Sequence, residues 1–195
     1  MERKIIKKIS KNTTSIKKIA LFGGSFNPPH LGHQMMLMHI AYSYDFNEIW
    51  VNPVDKHYFA KDKYLINPSD RVNMAKLAFK KISDKIVIKT IDIKNNFSKS
   101  FDTLSFLSNK YPNYKFTLIL GEDNYNSRKK WYKFEEIEKM AEIIYLGRNS
   151  VKSDLKLPFK FPDISSSEIR ESVEENKLLL DRNVLEYIKK NKLYL

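Results

Sequence analysis

Ile19-Ala20-Leu21-Phe22-Gly23-Gly24-Ser25-Phe26-Asn27-Pro28-Pro29-His30-Leu31-Gly32-His33 passes from an apolar run, through a Gly/Pro-rich stretch, into helical spacing. Ile19–Phe22 reads as a buried β-strand and Gly23–Gly32 as a loop. Leu31 to about Tyr44 reads as a helix with Leu37, Met38, Ile40 and Ala41 on or near its buried face. Two glycines directly after a strand let backbone N–H groups come close to a ligand. Two prolines stiffen the turn, and a helix start offers unpaired amides to an anion. A phosphate is the natural guest of such a loop.

Outward from this unit the text keeps alternating between short apolar runs and longer segments of helical period. Glu48–Val54 reads as a second strand, followed by a polar, lysine-bearing loop over Asp55–Asn67. Pro68 stands at the first position of a helix running to about Lys81, with Asn67 as its cap. Ile86–Ile91 is a third strand, and Ser100 or Asp102 opens a helix that ends before Pro112. Lys115–Gly121 is a fourth strand, Trp131–Met140 a helix and Glu142–Gly147 a fifth strand. Ser150–Pro162 reads as an irregular connection. Ser165 followed by Glu168 spells a capping box at the next helix start, and Asp181 caps a last helix to Asn191. The pattern predicts an α/β, Rossmann-like domain: a parallel sheet of five to six strands with helices on both faces. Ligands are then expected beyond the carboxyl ends of the strands. Residues 18–195 read as one domain whose C-terminal part, 164–195, is helical, and residues 1–17 as a basic leader.

Bulk composition excludes several classes. The 195 residues include no cysteine, so there is no disulfide framework, thiolate zinc site or thiol nucleophile. No apolar run reaches the roughly 18 residues of a membrane span and no signal-peptide pattern occurs, which predicts a soluble, cytoplasmic protein without a membrane partner. The net charge is +12, but Met1–Lys18 holds seven lysines and arginines against one glutamate, half of the excess. The leader reads as a solvated, partly disordered tail; an organelle-targeting peptide suits it less, because lysine outnumbers arginine and the amphipathic pattern is poor. That distribution, and the lack of any nucleic-acid-binding signature, argues against nucleic acid as partner.

His30 and His33, three apart at a helix start, project to one side, with Gly32 leaving room for a polyphosphate against the helix. Their ring N–H groups can bind the bridging oxygen and leaving pyrophosphate of ATP as charge builds there. An isolated H-x-x-H is as readily a cap, a surface pair or part of a zinc site; the Gly-Gly-Ser-Phe and Pro-Pro flanks favour the phosphate reading. Ile164-Ser165-Ser166-Ser167-Glu168-Ile169-Arg170 is ordinary capping when taken alone. Paired with the first loop it offers hydroxyls and one arginine to the same kind of anion.

GGSFNPPHLGH resembles the signature of the H-x-G-H nucleotidyltransferases, and ISSSEIR is similar to their I-S-S-T/S-x-I-R element. Within that superfamily, Leu120–Trp131 (LGEDNYNSRKKW) resembles the G-x-D…W element of the nicotinate (nicotinamide) mononucleotide adenylyltransferases. Val184–Tyr194 is close to their V-x-x-Y-I…L-Y tail, and Arg71 with Met74 to their R-x-x-M helix. Ser98–Leu104 is similar to their S-Y-T-x-D-T-L element, with Lys99 in place of the tyrosine and Ser100 in place of the threonine. The loop after strand two, Asn52–Lys61, is closer to nicotinamide-type members than to the Pro-His-Lys of bacterial ones.

The resemblance implies the H-x-G-H nucleotidyltransferase fold and transfer of AMP from ATP to nicotinate mononucleotide, giving deamido-NAD and pyrophosphate; nicotinamide mononucleotide remains open as a second acceptor. It implies catalytic His30, His33 and Arg170, and ATP binding by Gly23, Gly24, Ser25, Phe26, Gly32, Ser166, Ser167 and Ile169. Ser100, Thr103, Gly121, Asp123 and Trp131 are implied to hold the pyridine nucleotide, and Lys56 and Lys61 to contact phosphate. Mg²⁺ is expected on ATP rather than in a protein metal site. A homo-oligomer is compatible with all of this. The alternatives are an adenylyl- or cytidylyltransferase with another phosphate acceptor, such as phosphopantetheine, and a basic nucleic-acid-binding module.

Overall fold

The computed structural model describes residues 16–56 and 65–194. Six parallel strands are β1 (Lys17–Gly24), β2 (Glu48–Pro53), β3 (Ile86–Ile88), β4 (Tyr114–Gly121), β5 (Glu142–Arg148) and β6 (Lys160–Phe161). They lie in the order β3-β2-β1-β4-β5-β6, each pair parallel. This is the Rossmann-like α/β sheet expected. The order reverses between β1 and β4, where Leu21 aligns with Leu118 and Phe22 with Ile119, so the loops after these two strands open side by side.

The helices are α1 (Leu31–Ser43), α2 (Pro68–Phe79), α3 (Ile91–Asn95), α4 (Ser100–Lys110), α5 (Glu122–Ser127), α6 (Phe134–Met140), α7 (Ser166–Glu171) and α8 (Arg182–Lys190). The central strands bury side chains on both faces. Ala20, Phe22, Ile49, Val51 and Ile119 pack under α1, α2 and α8, through Leu37, Ile40, Met74, Phe79, Val184 and Ile188. Ile19, Leu21, Trp50, Phe116 and Leu118 pack under α4 and α6, through Leu104, Leu107 and Ile137. Alternation of side chains along a strand assigns each neighbour to the opposite layer. Caps act where they are expected: Asn67 accepts from the Ser69 amide at 3.0 Å and Asp181 from the Asn183 amide at 2.8 Å.

Four local expectations are corrected. The third strand stops at Ile88 and Ile91 begins α3, because the Ile91 amide is taken by the Asn52 side chain (2.9 Å) rather than by a neighbouring strand. Trp131 does not open a helix: a 3-10 turn over Arg128–Lys130 precedes it, and α6 starts only after Lys133, whose φ is +53°. Ser165 caps α7 through the Ser167 amide at 3.2 Å, not through the third helical position. The 150–162 connection contains β6, which extends the sheet beyond β5.

Candidate active site

Gly23 and Gly24 end β1 beside the end of β2, whose following residue, Val54, donates its amide to the Gly24 carbonyl at 3.0 Å. Gly24 is required by contact: a Cβ there would lie 2.9 Å from the Phe26 ring. Phe26 itself turns the chain, with φ +48° in the left-handed region that a bulky residue rarely enters. Its ring is fully buried and packs on Phe22, Phe79 and His33 (centroids 5.8, 5.3 and 5.1 Å). Asn27–Pro28 is a cis peptide bond.

His30 caps α1 and His33 follows one turn in. Their rings stack with centroids 3.8 Å apart, and His33 Nδ1 accepts from the His30 amide at 3.3 Å. His30 is 2% exposed, and its Nδ1 is buried with no hydrogen-bond partner among the described residues. Burial pushes the His30 imidazole down to about 3, helped by the positive charge of Arg148. His33 is driven well below its ordinary value by burial, then by His30 and Arg148. Without an anion nearby the pair is therefore neutral at pH 7, and each ring has an N–H to donate.

The late segment meets this loop. Arg170 Nη1 donates to the Asn27 carbonyl at 2.8 Å and Nη2 to the Ser167 hydroxyl at 3.2 Å, while the Ser166 hydroxyl donates to the Pro28 carbonyl at 2.8 Å. Gly32 lies against Ile164: a Cβ on Gly32 would stand 3.4 Å from that of Ile164 and 3.1 Å from His30 Nδ1. Tyr194 from the tail donates to the Asn27 side-chain oxygen at 2.9 Å.

A cavity of about 320 Å³ opens at the carboxyl ends of β1, β2 and β4. Of the residues expected at a site, Gly23, Gly24, Ser25, His33, Lys56, Ser100, Thr103, Gly121, Asp123 and Trp131 line it. His30, Gly32, Ser166, Ser167 and Arg170 gather around the neighbouring Asn27–Pro28 turn instead. Phe26 and Ile169 have fully buried side chains in the core and can offer a ligand only backbone. Lys61 lies outside the described residues.

Beyond the residues assigned a role from sequence, four more take part: Arg71, read there only as part of the R-x-x-M pattern, and Asp92, Glu122 and Arg148, which the sequence reading did not single out. Arg71, 0% exposed, donates to the carbonyls of Ser25 (2.9 Å), Val54 (2.8 Å), Asp55 (3.3 Å) and Ile66 (3.2 Å), tying the loops after β1 and β2 together. Asp92 lines the cavity from behind; it accepts from the Thr103 hydroxyl at 2.7 Å, and burial raises its carboxyl to about 6. Glu122, 0% exposed, accepts from the Arg148 amide (3.1 Å), the Ser153 hydroxyl (2.6 Å) and Lys160 (3.3 Å), clamping the end of β5. Arg148 ends that strand near enough to the imidazoles to lower both, and its Nε is buried with no hydrogen-bond partner among the described residues. A signal existed only for Arg71, in the R-x-x-M pattern. Among the described residues no group of three or more His, Asp or Glu could hold a metal ion, and no helix is long and apolar enough to cross a membrane.

The parallel α/β sheet, with a Gly-Gly turn on the cleft and paired imidazoles and an arginine at the adjoining Asn27–Pro28 turn, is the setting of a nucleotidyltransferase, and the chain belongs to the cytidylyltransferase-like family, whose model matches residues 21–172. The relatives narrow the branch to the nicotinate-nucleotide adenylyltransferases. The Bacillus subtilis enzyme of that name is 31% identical over 188 residues, covering 92% of this chain and 99% of its own. A protein named "Probable nicotinate-nucleotide adenylyltransferase" in Anaeromyxobacter dehalogenans is 33% identical, covering 91% and 97%. Among solved structures, Plasmodium falciparum nicotinic acid mononucleotide adenylyltransferase complexed with NaAD matches with a TM-score of 0.75 at 27% identity, over 91% of this chain and 97% of that one.

Proposed function

We propose that the protein transfers AMP from ATP to nicotinate mononucleotide, releasing pyrophosphate and forming deamido-NAD. The observation that carries this reading is the junction of two segments 143 residues apart, where Arg170 grips the Asn27 carbonyl three residues before His30. Arg170 and the two histidines thereby gather on the loop that leads from the Gly-Gly turn into α1, next to the cleft, an arrangement suited to a triphosphate.

In this reading the 5′-phosphate of the mononucleotide attacks the α-phosphorus of ATP in line. One P–O bond forms, the Pα–O–Pβ bridge breaks, and its electron pair leaves on pyrophosphate. The protein has no covalent step to perform; it positions and neutralises. His30 and His33 donate N–H groups to the bridging and leaving oxygens, Arg170 and Arg148 supply fixed charge, and Ser166 and Ser167 orient Arg170 and the turn. Gly23, Gly24 and Ser25 present amides to ATP, Gly32 leaves space for it, and Phe26 and Ile169 act only through packing and backbone. Lys56 reaches the phosphates from the β2 loop. Ser100, Thr103, Gly121, Asp123 and Trp131 hold the pyridine nucleotide, with Thr103 fixed by Asp92. Mg²⁺ would enter with ATP as part of the substrate.

Pyrophosphate release from ATP and Mg²⁺ with nicotinate mononucleotide, nicotinamide mononucleotide or phosphopantetheine tests the reading. Release is expected with nicotinate mononucleotide; release with phosphopantetheine alone, or with none of the three, would overturn it.

A further inference from the structure

We propose that the outer face of α1, with the sheet edge beside it, is the contact surface of a two-fold dimer. The stripe of Met35, Met38, His39, Tyr42 and Phe159 closes on the same stripe of a second copy. This surface lies apart from the cleft and owes nothing to the adenylyl-transfer reading.

α1 carries apolar side chains all round. Its inner face, Met36, Leu37, Ile40 and Ala41, is buried against the sheet. Met35, Met38, His39 and Tyr42 fall at helical spacing on the opposite side. Met38, expected on or near the buried face, is 49% exposed, beside Met35 at 37% and Tyr42 at 75%. The His39 ring carries the stripe across to the sheet edge, with its centroid 6.2 Å from that of Phe159 and 5.7 Å from that of Phe161. Phe159 packs edge-on against Phe161 at 4.8 Å and is 53% exposed. β6 ends the strand order, so among the described residues no further strand covers this side. A surface helix ordinarily turns polar side chains to water, and one that is apolar all round belongs between two packed layers. The fold supplies one of those layers.

Charge indicates what supplies the other. No Asp, Glu, Lys or Arg occurs from Ile19 to Tyr44, in a chain that is 30% charged with a net charge of +12. Two such chains repel where their lysines meet, and a face without charge is where they can close. The neighbouring charges are engaged elsewhere: Lys18 pairs with Asp45 at 3.0 Å, Lys160 pairs with Glu122 at 3.3 Å, and Lys81 lines the groove between α2 and α8. An acidic partner finds no cation on this stripe. A helix lying on a lipid surface carries lysines or arginines beside its apolar stripe, and α1 has none.

The size of the patch agrees. Met35, Met38, Tyr42 and Phe159 together expose on the order of 400 Å² of largely apolar surface. A two-fold axis uses the patch twice, giving about 800 Å², the apolar half of a standard interface of about 1,600 Å². The flexible thioethers of Met35 and Met38 can repack against the aromatic rings of the copy.

Sedimentation equilibrium of the full chain tests this. The wild type should be a dimer at micromolar concentration. Met38→Glu should raise the dimer dissociation constant by about 100-fold or more, because the two-fold axis sets the new charge close to its own copy. A circular dichroism spectrum shows whether that variant is folded. A second measurement does not depend on it: the chain has no cysteine, so single cysteines report proximity. One or more of Met35→Cys, Met38→Cys and Tyr42→Cys should link into covalent dimers with a short bismaleimide, and Glu138→Cys, exposed on α6 across the sheet, should not. A monomeric wild type would overturn the proposal, and binding of that monomer to phosphatidylcholine vesicles would assign the stripe to a lipid surface instead. A dimer that Met38→Glu leaves intact, or that links through Glu138→Cys alone, would place the interface elsewhere and also overturn it. Turnover enters none of these readouts, so this proposal and the adenylyl-transfer reading stand or fall separately.

Discussion

At the scale of single residues, the site depends on groups kept out of their comfortable states. Phe26 occupies left-handed backbone so that its ring can enter the core and its neighbours Gly24 and Ser25 can face the cleft. His33, wedged between the Phe26 ring and His30, is neutral when the cleft is empty, and in the proposed reaction it donates an N–H whose bond strengthens as negative charge develops. His33→Ala should therefore cut kcat by about 10²-fold, the scale of losing one transition-state donor, with the circular dichroism spectrum and melting curve little altered. Near-normal turnover in the purified variant would remove His33 from the chemistry. Its position on the cleft was legible because Gly-Gly-Ser-Phe and Pro-Pro flank the pair. Arg148 was not, since an arginine at a strand end has no local pattern to mark it.

Among elements, what matters is how the loops are tied to one another. Arg71 on α2 spends its guanidinium on four backbone carbonyls from the loops after β1 and β2 and from Ile66. Removing it leaves buried acceptors unpaired, so Arg71→Met should destabilise the fold by about 3 kcal/mol. A urea titration checks this through a lower midpoint at unchanged slope, and an unshifted midpoint would show the staple to be dispensable. The longer helices, α1, α2, α4 and α8, were readable from their period and their caps. α3 and α5 were missed because five and six residues are too few to display a period. β6 was missed because two residues carry no alternation; it exists because the 149–161 connection is held by Glu122 and Lys160.

Taken whole, the molecule stores opposing pH dependences at its cleft. The unfolded His30 protonates near its ordinary 6.5 while the folded one resists to about 3, so the unfolded state binds more protons between these values. Stability is then full above pH 6.5 and falls toward pH 3 by about 1.4 kcal/mol per pH unit for this residue, with His33 acting in the same direction. Asp92, raised to about 6, acts oppositely: it costs stability as pH rises from its ordinary 3.8 to 6. Urea midpoints of wild type and His30→Asn from pH 4 to 8 should differ in slope, the variant losing less stability between pH 6.5 and 4.5. Parallel curves would mean that His30 protonates as easily folded as unfolded. Saturating pyrophosphate should shrink the difference, because an anion beside the imidazoles lets the folded state take up the proton too.

The sequence by itself determined the alternation of strands and helices, the phosphate-type loop at 23–33 and the caps at Asn67 and Asp181, and, through GGSFNPPHLGH and ISSSEIR, the resemblance to the H-x-G-H nucleotidyltransferases. All of these are written in residues a few positions apart, where periodicity, capping and glycine geometry are local matters. Only the tertiary structure decided that Arg170 reaches Asn27, that Arg148 stands by the imidazoles, and that Asp92 backs Thr103. Those contacts depend on the order β3-β2-β1-β4-β5-β6, which sets strands far apart in the chain side by side and brings their loops to one rim. The crossovers that create that order are a property of the packed sheet, and short-range spacing carries no record of them.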